Sequence, residues 1–415
     1  MEVNPGYKMT EVGVIPEDWD IDSLSSVTPR NRPNGIVDGP FGSNLKTIHY
    51  RKLGIPIITS GYVTEGRFAA DSYLYVDKEK FEEEKRSAVR PGDIVMAKIG
   101  ARCGASAILP SWHQIGILSG NALKITVDES RHSTSYVWQL LWNLYSTGRV
   151  ESLRTVGAQP AISMASLKRY KLPLPPLPEQ RAIAAALDDM DALLGGLDQL
   201  IAKNRDLKQA AMQELLTGQT RLPGFHDEWD VKRFGELAVP RKERVDPRKA
   251  GIQGFCVELE HIEHGSGRLI GSGSTGEESS LKSVFQAGDV LFGKLRAYLR
   301  KYWLADRSGV CSTEIWVLVA NRSLISPEFL FQLVTANKFI DVASSAYGTH
   351  MPRSDWNVVK NYEVAVPKPL EQTAIADALA DMDRELAALE ERLAKTRALK
   401  QGMMQELLTG RTRLA

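Results

Sequence analysis

The chain repeats itself. Glu179 to Leu222 and Glu371 to Leu414 align without a gap at an offset of 192, and roughly 28 of their 44 positions are identical. Chance does not produce such a match, so any fold must place two copies of one element in one molecule. Weaker echoes surround the copies. Pro91 to Lys98 is similar to Ala287 to Lys294, both carrying Gly-Asp before an apolar run. Glu17-Asp18-Trp19-Asp20 matches Asp227-Glu228-Trp229-Asp230, and Pro160, Lys168 and Tyr170 match Pro352, Lys360 and Tyr362. The order is therefore a variable segment, a repeated segment, a second variable segment and the repeat again. Conserved copies point to one shared task, and divergent segments point to two different targets.

The periodicity of the copies predicts long helices. Ile183, Leu187, Met190, Leu194, Leu197 and Ile201 step by 4, 3, 4, 3 and 4, and Ile375, Leu379, Met382, Leu386, Leu389 and Leu393 do the same. This is the a/d seam of a coiled coil over about three heptads. The seam meets Asn204 in one copy and Thr396 in the other, where its apolar character weakens. Pro178 and Glu179 suit a first turn, and Gly218 and Gly410 suit the residue just past a helix end. About 38 residues make a rod of roughly 57 Å. Two such helices in one chain are expected to pair with each other, antiparallel, about a pseudo-twofold axis; the alternative is a homodimerising coiled coil.

The variable segments read as mixed α/β (α+β). Strands are expected at Ile55 to Thr59, Asp93 to Met96, Ala122 to Val127, Asp289 to Phe292 and Glu314 to Val319. Helices are expected at Tyr136 to Val150 and Pro327 to Ala343. The expected domains are 1–178, 219–369 and the two helices 179–218 and 370–415. With 415 residues there is ample length for separate cores. Met1 to Asp20 has no apolar run, so no secretory leader is expected there. Gly104 to Leu123 contains Pro110, His113, Gln114 and Asn121, and reads as strands and turns, not as a membrane span. Cys103, Cys256 and Cys311 lie far apart, which suits a reducing cytoplasm.

Charge is partitioned. The net charge of +1 conceals −3 on each of Glu179 to Leu216 and Glu371 to Leu408, which leaves +7 on the other 339 residues. Basic runs with interleaved Tyr298, Tyr302 and Trp303 fit a phosphate-facing surface. The candidate DNA contacts in the first variable segment are Lys46, Lys98, Arg102, Asn121, Arg154, Gln159 and Ser163. In the second they are Arg241, Lys294, Arg296, Thr313, His350, Arg353 and Ser354. They follow the Gly-Asp strands and the loops before each long helix, and their side chains are the types that read base edges or phosphates.

Catalytic signatures are missing from the sequence. It has no G-x-x-x-x-G-K-[ST] phosphate loop and no Asn-Pro-Pro-aromatic tetrapeptide. Gly271-Ser272-Gly273-Ser274-Thr275-Gly276 reads as a flexible hairpin loop, not a nucleotide cradle. His261 and His264 lack a third partner at metal-ligand spacing, and no nucleophile–base set is recognisable. No catalytic residue and no metal site are expected.

The motifs resemble those of the specificity subunits of type I restriction–modification systems. Pro173-Leu174-Pro175-Pro176-Leu177-Pro178-Glu179-Gln180-x-x-Ile183 and Pro367-Lys368-Pro369-Leu370-Glu371-Gln372-x-x-Ile375 are similar to that family's helix entries, with Lys368 replacing a proline. Leu215-Leu216-Thr217-Gly218 and Leu407-Leu408-Thr409-Gly410 resemble its helix exits. Gly92-Asp93-Ile94-Val95, Gly288-Asp289-Val290-Leu291 and Asp38-Gly39-Pro40-Phe41-Gly42-Ser43-Asn44-Leu45-Lys46 resemble motifs of its recognition domains. The resemblance spans essentially the whole chain. It implies two target recognition domains, each reading half of a split, asymmetric double-stranded DNA site, spaced by paired helices. It also implies two modification (methyltransferase) subunits using S-adenosylmethionine, and restriction (translocase/nuclease) subunits using ATP and Mg. The chain itself would bind no cofactor, catalyse nothing, touch no membrane and work in the cytoplasm. A stand-alone two-headed DNA-binding regulator, a coiled-coil scaffold and a self-sufficient nuclease or methyltransferase are the other readings.

Overall fold

The computed structural model describes residues 5–31, 34–64, 66–155, 157, 159–276, 280–345 and 352–414. The chain divides into two compact units. The first comprises 1–196 with 393–415, and the second comprises 197–392. The divisions fall inside the two longest helices, Leu177–Thr217 and Pro369–Leu407. Each unit thus holds one variable segment, part of the first long helix and part of the second. The duplicated family-type motifs and the pairing of these helices give the expected mixed α/β architecture with an antiparallel helical pair.

In the first unit, one antiparallel sheet runs Ser106–Ile108, Ile94–Ala97, Ala122–Ile125, Ile36–Asp38. A second runs Tyr75–Val76, Ile55–Ile58, Gly116–Leu118, Ala88–Val89, with Ile57 and Ile58 parallel to Ile117 and Leu118. The second unit builds a similar pair, with the fourth strand of its second sheet at the opposite edge. One sheet is Tyr302–Leu304, Val290–Gly293, Ile315–Ala320, Ala238–Pro240. The other is Cys256–Val257, Gly309–Ser312, Lys282–Phe285, Arg244–Val245, again with one parallel pairing. The variable segments diverge in sequence yet share a fold. Their central strands, Ile94–Ala97 and Val290–Gly293, are buried at every residue, which is why they read as unbroken apolar runs.

Helical expectations need two corrections. The stretch expected as one helix from Tyr136 to Val150 is a helix over Thr134–Ser146 and a 3-10 turn over Arg149–Leu153, separated by Gly148 at φ +74. The stretch from Pro327 to Ala343 is two helices, Pro327–Thr335 and Asn337–Ser344, broken where Ala336 is extended at ψ 143. The break turns Phe339 into the core, 4.8 Å from Phe234 and 5.2 Å from Phe292, ring centre to ring centre. Aromatic packing there outweighs the continuity of one helix. The Gly271 to Gly276 stretch is irregular, but Gly273 exchanges both backbone hydrogen bonds with Cys256.

The long helices run antiparallel within each unit. In the first, Ile183 and Leu187 share a core with Met404, Leu407 and Leu408. In the second, Leu215 and Leu216 share one with Ile375 and Leu379. Leu194, Leu197, Ile201 and Leu386 are buried, whereas Met190, Met382, Leu389 and Leu393 are half-buried. Beyond the apolar seam, ion pairs take over. Lys400 donates to both oxygens of Asp191 at 2.6 Å, and Lys208 pairs with Asp383. The two pairs are the same pair once the repeat is applied. Gly410, at φ +70, ends the second helix. Its N–H bonds the carbonyl of Leu407, and the Arg411 N–H bonds that of Glu406, which is the Schellman arrangement.

Candidate nucleic-acid interface

Each Gly-Asp motif is a turn that aims a strand. Arg90-Pro91-Gly92-Asp93 closes with the Asp93 N–H on the Arg90 carbonyl at 2.9 Å, and Gly92 adopts φ +87. This is a type II turn, with Pro at its second position and Gly where φ must be positive. The Asp93 carboxylate takes the Arg90 N–H at 2.8 Å and the Thr126 hydroxyl at 2.6 Å. The second copy repeats this with Gln286, Gly288 at φ +88 and Asp289, whose carboxylate takes the Gln286 N–H at 2.8 Å.

The strands deliver their last residues to equivalent edges. The Lys98 N–H bonds the Asn121 carbonyl at 2.8 Å, and the Lys98 carbonyl accepts from Ile162 at 2.8 Å. Lys294 makes the same two bonds with Glu314 and Ser354, at 3.0 and 2.8 Å. The Gly100 N–H bonds the Pro160 carbonyl, and the Arg296 N–H bonds that of Pro352. The structure therefore gathers Lys98, Asn121, Gln159 and Ser163 in the first unit. In the second it gathers Lys294, Arg296, Thr313, Arg353 and Ser354. Lys46 stands apart, exposed at the start of a short 3-10 helix over Thr47–His49. His350 lies outside the described residues.

Partners within the protein sort these side chains. Arg241 makes a bidentate pair with Asp289 at 2.8–3.0 Å, so it buttresses the Gly-Asp turn. Arg154 bonds the Cys103 carbonyl at 2.7 Å and pairs with Glu151. The Ser163 hydroxyl caps the helix Met164–Arg169. Ser354 is buried. Lys98 reaches Asp38 at 2.5 Å and lies 4.1 Å from the centre of the half-exposed Phe41 ring. Arg353 bonds Glu314 at 2.9 Å. Arg102, Gln159 and Arg296 are exposed, while Lys294 and Thr313 are half-buried. Asp38 and Phe41 belong to the motif running from Asp38 to Lys46, whereas Glu314 carries no sequence signal of a site. Glu314 occupies the place of Asn121, a correspondence visible only once the strands are in register.

Two of the edge residues carry an unusual backbone. Arg296 and Arg300 have φ of 55 and 49, the only non-glycine residues with positive φ among those described. Each costs about 1–2 kcal/mol in that region. Counting 196 residues back, the first unit has Gly100 and Gly104 in the same places, at φ +104 and +96. The Arg300 guanidinium bonds the Asn337 side chain at 2.6 Å.

The helix ends are tied to the variable segments by a second matched set. Glu179 accepts the Trp19 indole N–H at 3.1 Å and a bidentate bond from Arg413 at 2.6 and 2.7 Å. Glu371 does the same with Trp229 and Arg221. Gln180 accepts the N–H of Ser133 and donates to the Pro175 carbonyl; Gln372 accepts from Ser326 and donates to the Pro367 carbonyl. Each Glu-Gln pair therefore fixes where its long helix leaves its domain. Arg413→Ala leaves the Glu179 carboxylate, 8% exposed, without its cation. The expected loss is about 2 kcal/mol, toward the low side for a broken buried pair because Arg413 itself is partly exposed. Chemical denaturation of the full chain measures it, and a midpoint unchanged from wild type contradicts it.

The histidines of the His261-x-x-His264 pair are occupied structurally. His261 accepts the Glu258 N–H at 3.0 Å, and His264 bonds the Leu299 carbonyl at 2.7 Å. Among the described residues no three His, Cys, Asp or Glu side chains converge as a metal site. Burial raises the pKa of all three thiols, that of Cys256 to about 11. No helix among the described residues is long and apolar enough to cross a membrane.

Comparison with known proteins gives this architecture a family. The type I restriction modification DNA specificity domain matches twice, at residues 42–203 and 227–396. The chain belongs to the type I DNA specificity family. Over 96% of its length it is 22% identical to the MjaVIII specificity subunit of Methanocaldococcus jannaschii, spanning 94% of that protein. It is 25% identical to the EcoDI specificity subunit of Escherichia coli over 50% of the chain. That match and a further one at 26% identity span only about half the length of those relatives. The fold is similar to that of the S subunit from M. genitalium, with a TM-score of 0.58, 14% identity and 98% of each chain covered. DNA recognition without catalysis is the contribution of such subunits, and the duplicated match explains the duplicated edge.

Proposed function

We propose that this specificity subunit reads a bipartite, asymmetric double-stranded DNA target with a fixed unspecified spacer, one unit to each half. The observation that carries this reading is the pair of equivalent edges with different side chains. Lys98, Asn121 and Ala161 occupy in one unit the places of Lys294, Glu314 and Arg353 in the other. The same backbone framework with different donors and acceptors reads different base edges. Lys46, Arg102 and Gln159 are our further candidate contacts in the first half, and Thr313 and His350 in the second.

The long helices serve as the spacer and as the docking surface for two modification subunits, which methylate adenine with S-adenosylmethionine. Restriction subunits using ATP and Mg join the same core. The chain acts in the cytoplasm, on double-stranded DNA. Co-purification with a cognate modification subunit, followed by sequencing of the methylated adenines, tests the reading. A split asymmetric motif that needs both proteins supports it. Tight, specific DNA binding by the chain alone, with no methylation in the complex, favours a stand-alone regulator instead.

Arg353→Ala is expected to weaken binding of the complex to its site about ten- to a hundred-fold if the guanidinium leaves Glu314 for a base. Titration at several salt concentrations separates this from a phosphate contact, which would flatten the salt dependence for every sequence alike.

A further inference from the structure

We propose that Arg296 is the guanine-reading side chain of the second unit, contacting one G·C pair of its half-site in the major groove. The inference rests on the reading of that unit as a half-site reader. Its basis is a comparison the molecule makes with itself. The loop after each Gly-Asp strand needs a left-handed residue where its N–H meets the carbonyl of Pro160 or Pro352. The first unit meets that need with Gly100, the unstrained choice, and a β-carbon there would meet nothing within 4 Å. The second unit uses arginine at φ 55. Backbone geometry disfavours that residue, so what arginine offers there is its side chain.

Among the described residues the side chain has no partner inside the protein. Arg296 is exposed, and among the described residues nothing bonds its guanidinium. Its strained neighbour Arg300 differs, being engaged with Asn337. The other arginines of the second unit's candidate set are also engaged, Arg241 with Asp289 and Arg353 with Glu314. Arg296 is thus the one guanidinium of that set left open, on an edge whose opposite members are Lys294 and Thr313. A planar fork of donors on a rigid turn matches O6 and N7 of guanine, the commonest specific arginine contact. The turn also lowers the entropy cost of presenting it.

The test uses the full chain in complex with its modification subunit, with methylated adenines mapped by sequencing for wild type, Arg296→Gly and Arg296→Lys. For R296G, preference at one G·C position of the second half-site falls about ten- to a hundred-fold. The first half-site and the spacer stay as they were, and the unfolding temperature stays level or rises, because glycine relieves the strained φ. R296K retains part of the preference. An unchanged motif with R296G overturns the assignment. So does a uniform loss of affinity for all sequences with a salt slope shallower by about one, which marks a phosphate contact. A wild-type complex that yields no split motif overturns the half-site reading itself, and the assignment with it.

Discussion

Asp289→Ala is expected to destabilise the second unit by about 3–5 kcal/mol, more than Arg413→Ala costs the first. Asp289 is 4% exposed, and its carboxylate holds three donors. Two are the Arg241 fork, with its side chain 19% exposed, and the third is the N–H of Gln286, the first residue of the turn. Alanine leaves a largely buried guanidinium and a backbone donor unsatisfied at once. Asp289→Asn keeps an acceptor for the Gln286 N–H and loses the charge, so its cost should fall between wild type and alanine. Asp93→Ala tests the same device in the first unit, where Thr126 and Lys124 are the partners. Denaturant titration with hydrogen exchange on Val290–Gly293 reads the effect in the unit concerned. A loss under about 1 kcal/mol for Asp289→Ala would show that the turn holds by its glycine alone.

The spacer is expected to follow the helices. Removing four residues from the middle of each long helix, at positions 192 apart, takes out one turn, or about 6 Å. At 3.4 Å per base step this shortens the preferred gap by about two base pairs. Four residues also rotate the helix by about 40°, which disturbs the seam. Removing seven keeps the heptad phase and takes out about 10.5 Å, or about three base pairs. The seven-residue variant should therefore fold with its Lys208–Asp383 and Lys400–Asp191 type of pairing intact, and it is the cleaner test. Mapping methylated adenines in complexes of both variants gives the gap directly. An unchanged gap with intact half-sites would mean that the helices do not set it.

The matched pairs show why the repeat is so strict in the helices and so loose elsewhere. Glu179 and Glu371, Arg413 and Arg221, Asp191 and Asp383, and Lys400 and Lys208 each do one job twice. A change in either copy breaks a part-buried ion pair. At the edges, Asn121 and Glu314 share only a backbone bond, which any residue supplies, so their side chains are free to differ.

Much of this was legible in the residues because it is local or repeated. The heptad steps from Ile183 to Ile201, the Pro91-Gly92-Asp93 turn and the glycine at position 410 encode their geometry within a few neighbours. Duplication added what locality could not, since two matching seams in one chain offer each helix a partner within the molecule, and the tertiary structure shows that pairing to be antiparallel. Tertiary structure alone decided which charges are spoken for. Arg241 and Asp289 are 48 residues apart, and Lys98 and Asp38 are 60 apart. No short-range pattern distinguishes a cation that braces a turn from one that faces solvent. The break at Ala336 and the left-handed backbone of Arg296 were hidden for the same reason. Each is set by packing or hydrogen bonding to distant chain, Phe339 against Phe234 and Arg296 against Pro352, and those contacts outweigh the local preference of the residues themselves.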